Sequence, residues 1–192
     1  MLSSFIVPGS YNQRATLREV FTVKAWLMGW AVLMFSAPPV GLADSVDELD
    51  VPNGPVILTV SGNIDLTNVG SEAQFDRAML AALPQYEFDT STPWTEGRSH
   101  YSGPLMRDLL ALLSSDSDAV HVSALNGYEA EIPVSDFIEH DVILAIEKNG
   151  EAIPIREYGP LWVLYPFDQD EVLLSEKIRF RAVWQVMHIN VL

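Results

Sequence analysis

Short apolar segments separated by tight-turn signals dominate the second half of the chain, and this pattern predicts strands. Residues 56–60 form a β-branched run that is typical of a strand. Asn126-Gly127 and Asn149-Gly150 each separate two apolar segments, which is the strongest short-range signal for a hairpin. The long apolar stretch at residues 180–191 predicts a last strand in the centre of a sheet. The other predicted strands are residues 119–125, 128–133, 142–147, 151–155 and 161–165.

Helical spacing of apolar residues occurs in two places. Ser71 and Gln74 form a capping-box pattern, and the apolar residues behind it predict a helix that ends at Pro84. Residues 104–113 predict a second helix, and residues 134–140 predict a short helix or turn. Strands outnumber helices and the hairpins imply antiparallel pairing, so the predicted class is α+β, with mostly antiparallel sheets and two to three helices.

The first 43 residues have the layout of a secretory signal peptide. Basic residues precede an uncharged apolar run at residues 25–43 that ends in Gly-Leu-Ala, which predicts cleavage after Ala43. The alternative is an uncleaved anchor. A helix stopped by Pro38-Pro39 would rise only about 20 Å, less than the roughly 30 Å of a hydrocarbon core. We therefore predict a periplasmic or secreted protein with a signal peptide at 1–43, a flexible leader at 44–55 and one domain at 56–192.

Charge narrows the range of partners. The part that follows residue 43 carries 25 acidic and 8 basic side chains. Such a surface repels phosphate backbones and anionic lipid headgroups, so we expect no nucleic acid as a partner and no membrane association after cleavage. An unknown small molecule or a periplasmic protein remains as the partner.

Four phrases in the second half of the chain carry a family resemblance, at residues 103–110, 124–133, 149–166 and 183–191. Their order and spacing resemble the molybdopterin-binding domain of the sulfite oxidase family, over residues 56–191. The resemblance implies that fold. It also implies a molybdenum-ligating cysteine about a dozen residues before the helix that begins near Gly103, and cations at the positions of Trp162 and Trp184.

The chain departs from the family at all three of these positions. It contains no cysteine, and Thr90 or Ser91 stands at or near the place of the thiolate. A hydroxyl is a much weaker ligand for a soft metal–sulfur centre. Indoles replace both cations, and an oxyanion pocket needs fixed positive charge or N–H donors. The four histidines show no metal-ligand spacing, and we predict no metal site.

These departures favour an exported, single-domain binding module without cysteine metal ligation. It would recognise a small ligand or a partner protein in a sensory or accessory role, with no cofactor expected and molybdopterin possible. The alternative is a periplasmic molybdopterin-dependent oxidoreductase that holds its cofactor without a protein thiolate. The sequence does not decide whether the protein is an enzyme, and we prefer the interpretation as a binding module.

The candidate ligand-binding residues fall into three groups. The aromatic residues either line an apolar cleft or pack in the core. The basic residues are candidate anion contacts or ordinary surface residues, and one hydroxyl stands at the thiolate position. The set is Trp94, Tyr128, Tyr158 and Trp162, then Arg98, His100 and Arg156, and finally Thr90.

A further basic group lies at the start of the predicted last strand. Lys177, Arg179 and Arg181 alternate there, so on a strand they would share one face. They form either a cationic stripe for an anionic ligand or local ion pairs with the acidic residues 168–176. We prefer the second interpretation.

Overall fold

The computed structural model describes residues 48–192, so the predicted signal peptide and its cleavage site lie outside the described residues. Within the described part, no helix has both the length and the apolar character needed to cross a membrane. The strands are β1 (Val56–Gly62), β2 (Ala73–Asp76), β3 (Gln85–Ser91), β4 (Arg98–Pro104), β5 (Ala119–Ala124), β6 (Glu129–Pro133), β7 (Ile143–Ala145), β8 (Glu147–Lys148), β9 (Glu151–Ala152), β10 (Trp162–Leu164) and β11 (Val186–Val191). The helices are α1 (Arg77–Ala82), α2 (Met106–Leu112), α3 (Val134–Glu139) and α4 (Glu176–Arg181), with a 3₁₀ helix at Glu171–Leu174.

A five-stranded sheet in the order β2-β1-β11-β5-β6 forms one side of the core. Pairing is antiparallel except between β1 and β11, which run parallel. Side chains alternate across the sheet, so Val60, Val122 and Ile189 are fully buried on its inner face. The predicted central position of the last strand is confirmed, because β11 lies between β1 and β5.

Two smaller sheets complete the strand framework: β3-β4-β8-β9 and the pair β10-β7. They meet closely at Gly103 in β4, where an added Cβ would lie 2.1 Å from the carbonyl oxygen of Leu144 in β7. Only glycine leaves room for this approach of two backbones. Residues 48–192 contain four helices, one more than the upper predicted number, and their mostly antiparallel strands confirm the predicted α+β class.

Both predicted Asn-Gly hairpins are confirmed. Asn126 and Gly127 lie in the connection between β5 and β6, and Gly127 has φ +82°. Asn149 and Gly150 connect β8 to β9 with φ +54° and +78°. Two successive positive φ angles are the backbone that suits Asn-Gly in a two-residue hairpin.

The predicted start of the first helix is wrong. Residues 73–76 form strand β2, and the helix begins only at Arg77. Pairing with β1 buries Phe75, and this tertiary contact outweighs the local capping-box signal. The residue that caps α1 is Asp76, whose carboxylate accepts a hydrogen bond from the backbone N–H of Met79 at 2.9 Å.

The predicted last strand is wrong over its first part. Helix α4 occupies 176–181, and the strand begins only at Val186. Lys177, Arg179 and Arg181 therefore do not share one face of a strand. The prediction of local ion pairs is also wrong for Arg181, which reaches Asp136 of α3 instead of the acidic residues 168–176.

Candidate functional site

A cleft of about 380 Å³ opens beside α4. Three segments that are distant in sequence build it: the turn after β3, the β5–β6 hairpin, and α4 with the residues that follow it. The lining side chains are Trp94 from the first segment, Asn126 and Tyr128 from the second, and Glu176, Arg179, Phe180 and Trp184 from the third, with Ala182 beneath them. We refer to this site as the aromatic cleft.

Indole rings form the inner wall of the aromatic cleft. The ring centroids of Trp94 and Trp184 are 5.2 Å apart at 63°, an edge-to-face contact. Trp162 lies behind them, 5.9 Å from Trp94, and is fully buried with its Nε1–H donated to the carbonyl of Ala182. Trp162 is thus a support for the wall and does not line the cleft.

Hydrogen bonds fix both sides of the cleft. The hydroxyl of Tyr158 donates to the carbonyl of Trp94 at 2.7 Å, and the ring of Tyr158 stacks on Trp162 at 4.7 Å. On the opposite side, the hydroxyl of Tyr128 donates to the carbonyl of Phe180 at 2.8 Å, which ties the hairpin to α4. Burial raises the pKa of Tyr128, so this hydroxyl remains a donor at neutral pH.

A buried ion pair anchors α4 at its C-terminal end. Arg181 donates to both carboxylate oxygens of Asp136 at 3.0 and 2.8 Å, and the two side chains are only 15% and 10% exposed. The hydroxyl of Tyr165 donates to the same carboxylate at 2.8 Å, and burial, followed by the charge of Asp136, raises the pKa of Tyr165 strongly. The face of α4 that lines the cleft is therefore held by the core of the protein.

The two positions at which the resemblance implies cations lie together beside this cleft. Trp162 and Trp184, which stand where the resemblance implies cations, are cross-strand partners with ring centroids 6.5 Å apart. Trp94, four residues beyond Thr90, contacts both indoles. Aromatic surface thus occupies the place where the family pattern implies charge.

Neither candidate substitute for the thiolate is free to bind a metal. Thr90 is fully buried; its hydroxyl donates to the carbonyl of Ser91 and accepts from the backbone N–H of Asp168. The hydroxyl of Ser91 donates to the carboxylate of Asp168. Among residues 48–192, no group of three or more histidine, cysteine or acidic side chains is placed to hold a metal ion. With no cysteine in the chain, these residues do not fit a protein-ligated molybdenum centre.

The structure places the predicted basic residues away from the aromatic cleft lining. Arg98 pairs with Asp168 at 3.2 Å. His100 lies 2.9 Å from Asp89, whose hydrogen bond raises the pKa of the imidazole. Both side chains thus face carboxylates. Arg156 is exposed on the loop that precedes Tyr158.

One buried hydroxyl behind the wall has no partner in the described part of the chain. Tyr101 is fully buried, packs edge-on against Trp162, and its hydroxyl makes no hydrogen bond. Burial raises the pKa of Tyr101, and the side chains of Thr95 and Ser99 lower it by a smaller amount.

Sequence reasoning placed Trp94 and Tyr128 in the site and missed most of the rest. Glu176, Arg179 and Phe180 follow the spacing i, i+3, i+4 of one helix face. This spacing is typical of a helix, but the apolar residues 180–191 predict a strand.

Comparison with known proteins bears on the fold and on the family. The family model described as the oxidoreductase molybdopterin binding domain matches residues 64–167, more than half of the chain. Among solved structures, the sulfane dehydrogenase SoxCD from Paracoccus pantotrophus is similar, with a TM-score of 0.52 at 18% identity over 70% of this chain. The chain spans only 37% of that protein's chain, so the likeness shows the fold alone. No curated protein sequence matches the chain significantly.

Proposed function

The chain belongs to the oxidoreductase molybdopterin-binding domain family, and on that premise we propose that it is a ligand-binding member without protein-ligated molybdenum. It takes a small molecule in the aromatic cleft, in a sensory or accessory role outside the cytoplasm.

The observation that carries this proposal is the composition of the aromatic cleft. Its volume of about 380 Å³ lies at the low end of the range for small-molecule sites, roughly 300–1,000 Å³. Its walls are aromatic, with a few polar groups at the edge, which is the usual lining of such sites. Flat ligands gain dispersion and apolar burial against the indole of Trp184.

The alternative is an oxidoreductase that holds molybdopterin without a protein thiolate, and the family match favours it. When bound, molybdopterin would supply a metal centre for oxygen-atom or electron transfer. The hydroxyls of Thr90 and Ser91 are already engaged with Asp168, however. Neither of these two hydroxyls is therefore available as a ligand of that metal centre, and we prefer the binding module.

We expect the protein purified after export to contain substoichiometric molybdenum and to bind the neutral planar probe N-phenyl-1-naphthylamine in a saturable manner. Trp184→Ala should weaken that binding at least about fivefold, since an aromatic wall contributes on the order of 1–3 kcal/mol. Elemental analysis and fluorescence titration, with sulfite-dependent reduction of an electron acceptor as the activity assay, measure these quantities.

Ile138→Ala is the matched control, because Ile138 is an exposed apolar residue of α3 that does not line the cleft. It should leave probe binding unchanged, and near-ultraviolet circular dichroism should show that both variants are folded. Stoichiometric molybdenum with turnover would support the oxidoreductase. Probe binding equal in the wild type and Trp184→Ala would remove the aromatic cleft as the site.

We further propose that the chain is exported and cleaved near Ala43. The support is the order of basic, apolar and small residues at 14–43. The intact mass of protein recovered from the periplasm or medium should correspond to a chain that begins at Asp44 or within a residue or two of it. A species that keeps residues 25–39 and sediments with membranes would contradict this processing.

A further inference from the structure

We propose that the ligand of the aromatic cleft is a planar aromatic anion and that Arg179 selects its charged group. This inference rests on the proposed function of the cleft and adds the chemical class of its ligand.

Basic side chains are few in the described part of the chain, and half of them have a partner there. The described residues contain eight basic and 23 acidic side chains. Three of the basic ones, Arg98, Arg107 and Arg181, are in ion pairs, and Arg77 donates to a backbone carbonyl. The other four make neither ion pairs nor side-chain hydrogen bonds within residues 48–192: Lys148, Arg156, Lys177 and Arg179.

One of these four residues lies in the aromatic cleft. Arg179 lines the aromatic cleft, and Lys177 is on the same helix. Arg156, Lys148 and Lys177 do not line the cleft. Of the four cations without a partner among residues 48–192, Arg179 is thus the one that lines the cleft. Its guanidinium is the one positive group among the lining residues that the structure describes, and it attracts an anion to its end of the cleft.

The charged groups of the lining determine where an anion would bind. A guanidinium binds a carboxylate, phosphate or sulfonate through charge-assisted hydrogen bonds. Arg179 is exposed and has no ion-pair or side-chain hydrogen-bond partner among residues 48–192. Glu176 lies one helical turn away and lines the same cleft, yet it forms no ion pair with Arg179. Because Glu176 would repel an anion, we place the charged group at the Arg179 end and the ring against Trp94 and Trp184.

A matched pair of probes tests this inference. 1-Anilinonaphthalene-8-sulfonate and N-phenyl-1-naphthylamine share one ring skeleton and differ by the sulfonate. The wild-type protein purified after export should bind the sulfonate about tenfold more tightly than the neutral probe, as expected of one charge-assisted hydrogen bond. Arg179→Gln should abolish this difference without weakening the neutral probe, and added salt should reduce it.

Lys148→Gln is the control, since Lys148 also lacks a partner among the described residues but lies on β8 and does not line the cleft. It removes the same charge and should keep the preference for the sulfonate. Equal affinity for the two probes, or a preference that survives Arg179→Gln, would overturn the anionic ligand and leave the aromatic cleft standing as a site. Failure of both probes to bind would reject the proposed function itself.

Discussion

Arg181→Met should lower the free energy of unfolding by about 3–5 kcal/mol, because it leaves the carboxylate of Asp136 buried without its partner charge. Methionine keeps most of the apolar stem and removes both hydrogen bonds from the guanidinium. Urea unfolding followed by circular dichroism measures the loss.

Two further variants make this prediction specific. Arg98→Met removes an ion pair whose arginine is 64% exposed, and it should cost no more than about 1 kcal/mol. Asp136→Asn combined with Arg181→Met should lose less than Arg181→Met alone, because no charge is then left in the core while the amide oxygen still accepts from Tyr165. A loss below about 1 kcal/mol for Arg181→Met would mean that the pair is not held as described.

Gly103→Ala should lower the free energy of unfolding by about 3 kcal/mol or more. Its Cβ would lie 2.1 Å from the carbonyl oxygen of Leu144 and 2.9 Å from the Cα of Ala145, so β4 and β7 would have to separate. Backbone atoms cannot rotate away as a flexible side chain does. Chemical unfolding and the yield of soluble protein both report the effect.

Gly127→Ala is the matched control. Gly127 has a positive φ but nothing lies within 4 Å of an added Cβ, so only the backbone preference is lost, at a cost of about 1 kcal/mol. Equal losses for the two glycines would show that the close approach of β4 and β7 does not limit stability.

The sequence predicted those parts of the fold whose signal is local. Asn-Gly at 126–127 and 149–150 determines its own turn, because few other residues adopt those φ angles. The start of α1 and the whole of α4 were missed for the opposite reason. β2 exists through pairing with β1, and the C-terminal end of α4 is held by Asp136, 45 residues away in the chain. No short window contains either contact.

The sequence named Trp94 and Tyr128 as candidates, but for the same reason it did not show which residues form the aromatic cleft with them. Trp94, Tyr128 and Arg179 come from segments that only the tertiary fold brings together, so their spacing carries no signal. The family phrases at Gly103 and Gly159 indicate close backbone approaches instead. A Cβ at Gly159 would lie 1.9 Å from the carbonyl oxygen of Ile153. This explains how those phrases can identify a fold while saying little about its chemistry.

In helix α4, the residues that anchor the helix to the core differ from the residues that line the cleft. Arg181 and the buried Ile178 hold the helix in place, while Glu176, Arg179 and Phe180 are exposed and line the cleft. Substitutions at the three exposed positions should cost little stability, since surface changes away from buried groups are usually within about 0.5 kcal/mol. A lineage of such chains could therefore acquire a new ligand by altering one short helical face, with the rest of the domain under unchanged selection.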